Sequence, residues 1–191
     1  MSFRPLIIGA LLALFVSAAA AQTKSELIKE ILGLRKALTQ FKYLGRYTLV
    51  VTAMDKVIPK LDTFPEDGDL SIIGKKTILI PQNEALGAVG VGSLVKNGTS
   101  PEQIVTFLEM GLLHILDGYY PFREIKHSSS VPTLLPGRRL RKYFVPLLMR
   151  RGSPYALGQS WNGLSWSQIV NPGIYRGKYI VVHGVDALQQ P

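Results

Sequence analysis

The sequence predicts an α+β domain, with helices first and short strands after. Between residues 23 and 61, apolar residues return three, four and seven apart, the repeat of a helix with one buried face. From residue 112 onward, short apolar runs are divided by Pro, Gly and Asn, the pattern of strands and turns. Between these halves stands "TILIPQNEAL", residues 77–86, where a buried strand stops at a proline and the chain restarts at once. Helices and strands kept apart along the chain predict N-terminal helices packed on a β-sandwich-like core of short strands.

Residues 1–21 are read apart from that domain. Arg4, the apolar run from Leu6 to Val16 and a string of alanines have the layout of a secretory signal peptide. The run is too short for an ordinary membrane span. Ala19 and Ala21 occupy the small-residue positions of a cleavage site. Cleavage between Ala21 and Gln22 would leave 22–191 as one domain. The alternative is an uncleaved first segment that retains the protein at a membrane. There is no cysteine, so the core must supply the stability that disulfides often give to exported proteins. The formal net charge is +9. For an exported chain this points to acidic polysaccharides or membrane surfaces rather than nucleic acid. No second apolar segment of spanning length follows, and the closing "VDALQQP" is not a lipid-anchor tail.

The first helix covers "TKSELIKEILGLRKALTQF", residues 23–41. Thr23 and Glu26 have capping-box spacing, and Leu27, Ile31, Leu34, Leu38 and Phe41 mark one face. Tyr47, Val50, Val51, Met54, Val57, Ile58 and Leu61 mark the second. "DTFPEDGDLSIIGKK" is a loop, "TILIP" a short buried strand and "GAVGVGSLVKNGTS" an irregular glycine-rich stretch. "SPEQIVTFLEMGLL" is a third helix, capped by Ser100, with Pro101 in its first position and Ile104, Phe107, Leu108 and Gly111 on its buried face. "LLHIL", "PTLLPG", "RLRKYFVPLLMRR", "PYALG", "SQIVN" and "YIVVHGVDAL" are the strand candidates. In "TILIPQNEAL", Pro81 ends the strand pairing because it has no N–H to give. Asn83 is then placed to cap a short helix whose Ala85 and Leu86 return to the core.

Catalytic signals are sparse. His114, His127 and His183 are the three histidines, with no HExxH and no cysteine beside them. His114 and His183 sit in apolar runs and read as hydrogen-bonded core histidines. There is no G-x-S-x-G elbow, and "HSSSVP" reads as a loop rather than a nucleophile–base pair. The glycines of residues 87–98 lack the Lys-Ser/Thr ending of a phosphate loop. The reading is therefore a non-catalytic protein without a metal or cofactor. Asn97-Gly98-Thr99 is the one N-glycosylation sequon. "GRRLRKYFVPLLMRRG" concentrates Arg138, Arg139, Arg141, Lys142, Arg150 and Arg151. On a hairpin these form a candidate polyanion patch beside Tyr143, suited to carboxylates and sulfates. Charged edge strands that discourage aggregation are the competing reading.

Three segments in order resemble the fasciclin domain, an extracellular α+β module of adhesion and matrix proteins, over about residues 24–191. "TILIPQNEAL" is similar to that family's T-[IV]-F-A-P-[TS]-[ND]-x-A-[FLI] motif through Thr77, Ile78, Pro81, Asn83, Ala85 and Leu86; Leu79, Ile80 and Gln82 depart from it. "LLHILDGYY" is similar to its helix-to-strand segment through His114, Ile115, Leu116, Gly118 and Tyr119. "YIVVHGVDALQQP" is similar to its closing strand through Val182, His183, Val185, Asp186, Leu188 and Pro191, with Gln189 at an often apolar position. "VPTLLPGRRL" looks like its T-L-x-G-x-x-L turn. The resemblance is to the small single-domain plant members. It implies a secreted glycoprotein that mediates cell adhesion or matrix contact, in a plant cell wall, by binding an extracellular protein. It also implies His114, Asp117, Tyr119 and Tyr120 as a candidate adhesion patch. The O-glycosylated Pro/Ala/Ser/Thr-rich segments and lipid-anchor signal of many plant relatives do not appear in this sequence. The competing function is that of an acidic-polysaccharide-binding wall protein gripping through the basic segment.

Overall fold

The structure, a computed structural model, describes residues 24–59, 75–88, 101–144, 155–158 and 166–189. Ala21, Gln22, Asn97, Arg150 and Arg151 lie outside them, as do residues 62–74 of the loop predicted at 62–76 and most of the glycine-rich stretch. The fold is α+β, as the sequence predicts.

Helix α1 spans Lys24–Leu38 and buries Ile31, Leu34 and Leu38. It stops before Phe41. Thr39 Oγ1 donates to the Arg35 and Lys36 carbonyls, competing with helix continuation, and Gln40 is extended. Phe41 opens a 3-10 turn, Phe41–Tyr43, and is 91% exposed, contrary to its place in the predicted stripe. Thr23, the expected capping-box partner of Glu26, lies outside the described residues; Glu26 accepts from Tyr179 Oη (2.8 Å) and pairs with Lys178 Nζ (3.0 Å). Helix α2, Thr48–Val57, buries Val50 and Met54, as its repeat predicts.

Strand β1 spans Lys76–Pro81, and helix α3, Asn83–Ala88, follows after one residue. Asn83 does not use its side chain on α3. Its Oδ1 accepts from the Leu49 N–H (3.1 Å), and its Nδ2 donates to Thr48 Oγ1 (2.7 Å) and to the Gly45 carbonyl. It therefore caps the start of α2, which lies far away in sequence. The start of α3 is set by the Gln82 carbonyl, which accepts from the Leu86 N–H (3.1 Å).

Helix α4, Pro101–Leu113, starts at the expected proline and runs on through Gly111. It absorbs the first part of "LLHIL", leaving strand β2 as Ile115–Leu116 alone. Helix α5, Phe122–His127, interrupts the predicted strand-rich half; Pro121 at its N-cap and the buried Ile125 are its signal. Strands β3 (Ser130–Pro132) and β4 (Arg139–Phe144) form a hairpin, followed by β5 (Tyr155–Gly158), β6 (Trp166–Arg176) and β7 (Ile180–Val185). "PTLLPG" is thus mostly the β3–β4 turn rather than a strand. β6 is longer than expected because it runs through Asn171–Pro172–Gly173 as a bulge. There Asn171 to Tyr175 faces only Gly184 to Val182.

The strands form one sheet in the order β2-β1-β7-β6-β5-β4-β3, parallel only between β1 and β7. Its two end strands meet. The Asp117 N–H donates to the Pro132 carbonyl and the Leu134 N–H to the Ile115 carbonyl, both at 2.9 Å, and Leu116 bridges Thr133. The sandwich-like core is therefore a sheet curled until its edges pair, which removes exposed edges there. Leu79, Leu116, Val131, Leu140, Leu157, Ile169 and Val185 pack together with Ile125 of α5. Ile78, Ile80, Ile180 and Val182 pack with α1 and α2 in a second cluster. The Cβ of any other residue at Gly184 would collide with the Tyr47 hydroxyl, so glycine there allows α2 to sit on β7.

Asn83→Ala is expected to cost about 2 kcal/mol in chemical denaturation with an unchanged denaturant slope, because α2 loses its cap and two more hydrogen bonds are broken. A loss under about 0.5 kcal/mol would show that the corner does not hold the helix.

Candidate functional site

The three fasciclin-resembling segments meet at one place on β1 and β7. Successive strand residues face opposite sides. Ile78 and Ile80 therefore point toward the helices, while Thr77 and Leu79 point the other way. The Thr77 hydroxyl is buried and doubly used. It donates to the Gly118 carbonyl (2.8 Å) and accepts from the Tyr120 N–H (2.7 Å). His183, on the same face of β7, is fully buried. Its Nε2–H donates to the Tyr120 carbonyl (2.9 Å), and its Nδ1 accepts from the Gly173 N–H (2.9 Å). The β6 bulge frees that N–H from the ladder, and Gly173 at φ +64 supplies the left-handed backbone the bulge requires.

The backbone of 117–120 is thus stapled from beneath by a threonine and a histidine. Gly118 has φ +141, and Tyr120 packs over it. Asp117, on the surface, pairs with Lys76 Nζ at 2.8 Å; the Lys76 side chain is only 8% exposed against 55% for Asp117. Tyr119 is half-buried, donates its hydroxyl to the Gly177 carbonyl (3.1 Å) and lies under Lys75 Nζ. Tyr120 is half-buried as well, with its hydroxyl toward the Asp117 carbonyl. Asp117, Tyr119 and Tyr120 therefore lie together on a rigid surface segment.

His114 does not join them. It is buried in the turn after α4, rather than within a strand. Its Nδ1–H donates to the Met110 carbonyl (2.7 Å), and its Nε2 accepts from the Gln189 N–H (3.2 Å). It ties the tail of the chain to α4 and offers no surface to a partner. Gln189, which departs from the apolar pattern, is also buried; its Nε2 donates to the Leu157 carbonyl and Ser167 Oγ. Asp186 accepts from the Gln168 N–H (2.7 Å), joining the end of β7 to β6. Burial holds the His183 imidazole neutral, its pKa lowered to about 4, and lowers that of His114 as well.

The basic segment divides by strand alternation. Arg139 and Arg141 lie exposed on one face of β4, with buried Leu140 between them. Lys142 falls on the Leu140 side and donates to the Lys126 carbonyl. Arg138 is exposed at the mouth of the hairpin. Arg139 donates to Ser130 Oγ (3.0 Å). Among the described residues, Arg138, Arg139 and Arg141 form no ion pair with a carboxylate.

Both ring nitrogens of His114 and of His183 are committed to backbone groups. His127 ends α5, and the neighbouring Ser128 hydroxyl donates to the Glu124 carbonyl. Among the described residues no three His, Asp or Glu side chains gather as metal ligands. Among them, too, no helix is long and apolar enough to cross a membrane.

No family model matches the chain, and no curated protein matches it. Among solved structures, it is similar to a FAS1 domain pair from the insect cell adhesion molecule fasciclin I. The two are 15% identical with a TM-score of 0.45, over 82% of this chain and 45% of that one. The chain thus spans less than half the length of that structure.

His183 gives the fold a defined pH dependence. Well above pH 6.5 the ring carries no charge in either state. As pH falls from 6.5 toward 4, the unfolded chain takes up a proton that the folded one refuses, so stability falls. The loss through His183 is about 3 kcal/mol over that range. His183→Gln is expected to flatten the profile by up to about 1.4 kcal/mol per pH unit. Denaturation midpoints measured across the range check this; parallel profiles for the two proteins would contradict it.

Proposed function

We propose that this protein is a fasciclin-like, non-catalytic recognition module that acts outside the cell. The observation that carries the reading is the convergence of the three resembling segments on the 117–120 staple. Residues that look like a family signature in sequence do connected work: Thr77 and His183 hold the backbone of Tyr120, and Lys76 holds Asp117. A segment ordered in advance loses little entropy on binding, which favours recognition by a few side chains. Asp117, Tyr119 and Tyr120 are the contact residues in this reading; His114 is buried and hydrogen-bonded to Met110 and Gln189 instead. Export after cleavage between Ala21 and Gln22 and a glycan on Asn97 belong to the same proposal, as does residence in a plant cell wall.

A second reading is favoured by Arg139 and Arg141. Two arginines share one exposed face of β4 and, among the described residues, pair with no carboxylate. Carboxylates or sulfates repeated along an acidic polysaccharide suit such a face.

Both readings are tested on protein exported by a eukaryotic host, which is expected to start at Gln22 and to lose mass when N-glycans are removed. Beads coated with it are measured for attachment to cell surfaces, matrix proteins and polygalacturonate. Asp117→Ala with Tyr119→Ala is expected to lower attachment to cells or proteins at least about tenfold without unfolding the chain. Attachment no better than that of albumin-coated beads would sink the adhesion reading. Arg139→Glu with Arg141→Glu is expected to abolish salt-sensitive binding to polygalacturonate, and unchanged binding would sink the second reading.

A further inference from the structure

We propose that the turn between α1 and α2 is a docking tip for an anionic lipid surface, with Phe41 and Leu44 entering its apolar boundary. Phe41 is 91% exposed and Leu44 68%, on the nine-residue connection 39–47. Leu49, 44% exposed, stands close by at the start of α2. Apolar side chains left in water gain free energy wherever they find an apolar surface.

The tip is held firmly. Tyr43 and Tyr47 are buried and pack edge to face at 6.1 Å, anchoring the turn from within. Gly45, at φ +80, makes the reversal. The corner after β1 grips the turn's far side: Asn83 Nδ2 donates to the Gly45 carbonyl and the Asn83 N–H to the Arg46 carbonyl (2.8 Å). Phe41 and Leu44 are thus presented by a braced turn, so inserting them orders little new backbone.

Charge selects the occupant. Between Glu30 and Asp55 the chain has no acidic residue but carries Arg35, Lys36, Lys42 and Arg46. Arg35 is paired with Asp55. The other three form no ion pair among the described residues. An acidic polysaccharide would satisfy these cations but has no apolar interior for Phe41 and Leu44. Lys42 Nζ lies over the Tyr43 ring (4.7 Å) and keeps its charge at the surface. A purely apolar protein groove would take the side chains but leave these cations without a counter-charge. An anionic lipid surface takes both, with acyl chains below and charged headgroups around. Two apolar side chains and three cations predict weak, reversible, salt-sensitive binding. The tip is separate from residues 117–120, so this proposal stands or falls independently of the recognition reading.

The sequence has no cysteine, so single labels are clean. Phe41→Cys, Leu44→Cys and Arg139→Cys are each labelled with a polarity-sensitive fluorophore and mixed with phosphatidylcholine vesicles, with or without phosphatidylglycerol. The expected result is a blue shift at 41 and 44 with phosphatidylglycerol present, none at 139, and reversal at high salt. Unlabelled Phe41→Ser with Leu44→Ser should bind such vesicles at least about tenfold more weakly, with an unchanged melting curve because both side chains are exposed. Absence of wild-type binding to these vesicles overturns the proposal. So does a shift at 139 but not at 41, which would place the basic face of β4 on the lipid. A shift at 41 that grows with protein concentration and needs no vesicles also overturns it, showing a contact between copies.

Discussion

The parallel pairing of β1 with β7 is the constraint on which the rest depends. It brings residues 76–81 beside residues 180–185, more than a hundred positions later in the chain. Closing so long a loop is entropically costly, and the cost is offset only by burial on both faces of the pair. One face, through Ile78, Ile80, Ile180 and Val182, supports α1 and α2. The other, through Leu79 and Val185, is enclosed by the curled sheet. Without this pair, the helices have no floor and the strands around it no centre.

The same pair organises the polar structure. Thr77 and His183 stand on the enclosed side and point at a single backbone segment, so that side is not purely apolar. Each polar atom involved has a partner, which makes a buried threonine and a buried neutral histidine tolerable. At the end of β1, Pro81 is still in register with Val185, and the Gln82 N–H donates to the Val185 carbonyl (3.0 Å), so the missing N–H of Pro81 does not cut the β1–β7 pairing. Asn83 then turns its side chain to α2 and the turn before it. One corner therefore fixes the sheet, the second helix and the exposed apolar tip in a single geometry. Both proposed surfaces, the 117–120 segment and the Phe41–Arg46 turn, are braced by residues of "TILIPQNEAL".

Much of this was legible in the sequence for physical reasons. β1 and β7 are buried on both faces, so they appear as unbroken apolar runs, "TILI" and "YIVV". Pro81 and Pro101 mark boundaries because a missing N–H has few compatible positions. What stayed hidden depends on partners distant in sequence. Asn83 looks like a local cap, but its targets are Gly45, Thr48 and Leu49. Glu26 stands in the first turn of α1, and its carboxylate also holds Lys178 and Tyr179, partners that no local pattern announces. Asn171–Pro172–Gly173 reads as a strand end and proves to be a bulge, because β7 continues past it and His183 takes up the freed N–H. His114 lies in an apolar run, and only the register of α4 shows that it ends a helix rather than occupying a strand. The basic run was visible as composition; its division between two faces follows from the strand alternation of Arg139, Leu140, Arg141 and Lys142.

The most direct test of this account is amide hydrogen exchange in Thr77→Val, which keeps the side chain's shape and removes its hydroxyl. The account predicts that the Tyr120 amide loses most of its protection while the amides of Val181 and Val182 in β7 keep theirs. The staple would then be lost and the strand pair beneath it retained. Unchanged protection at Tyr120 would contradict the claim that Thr77 holds the 117–120 segment.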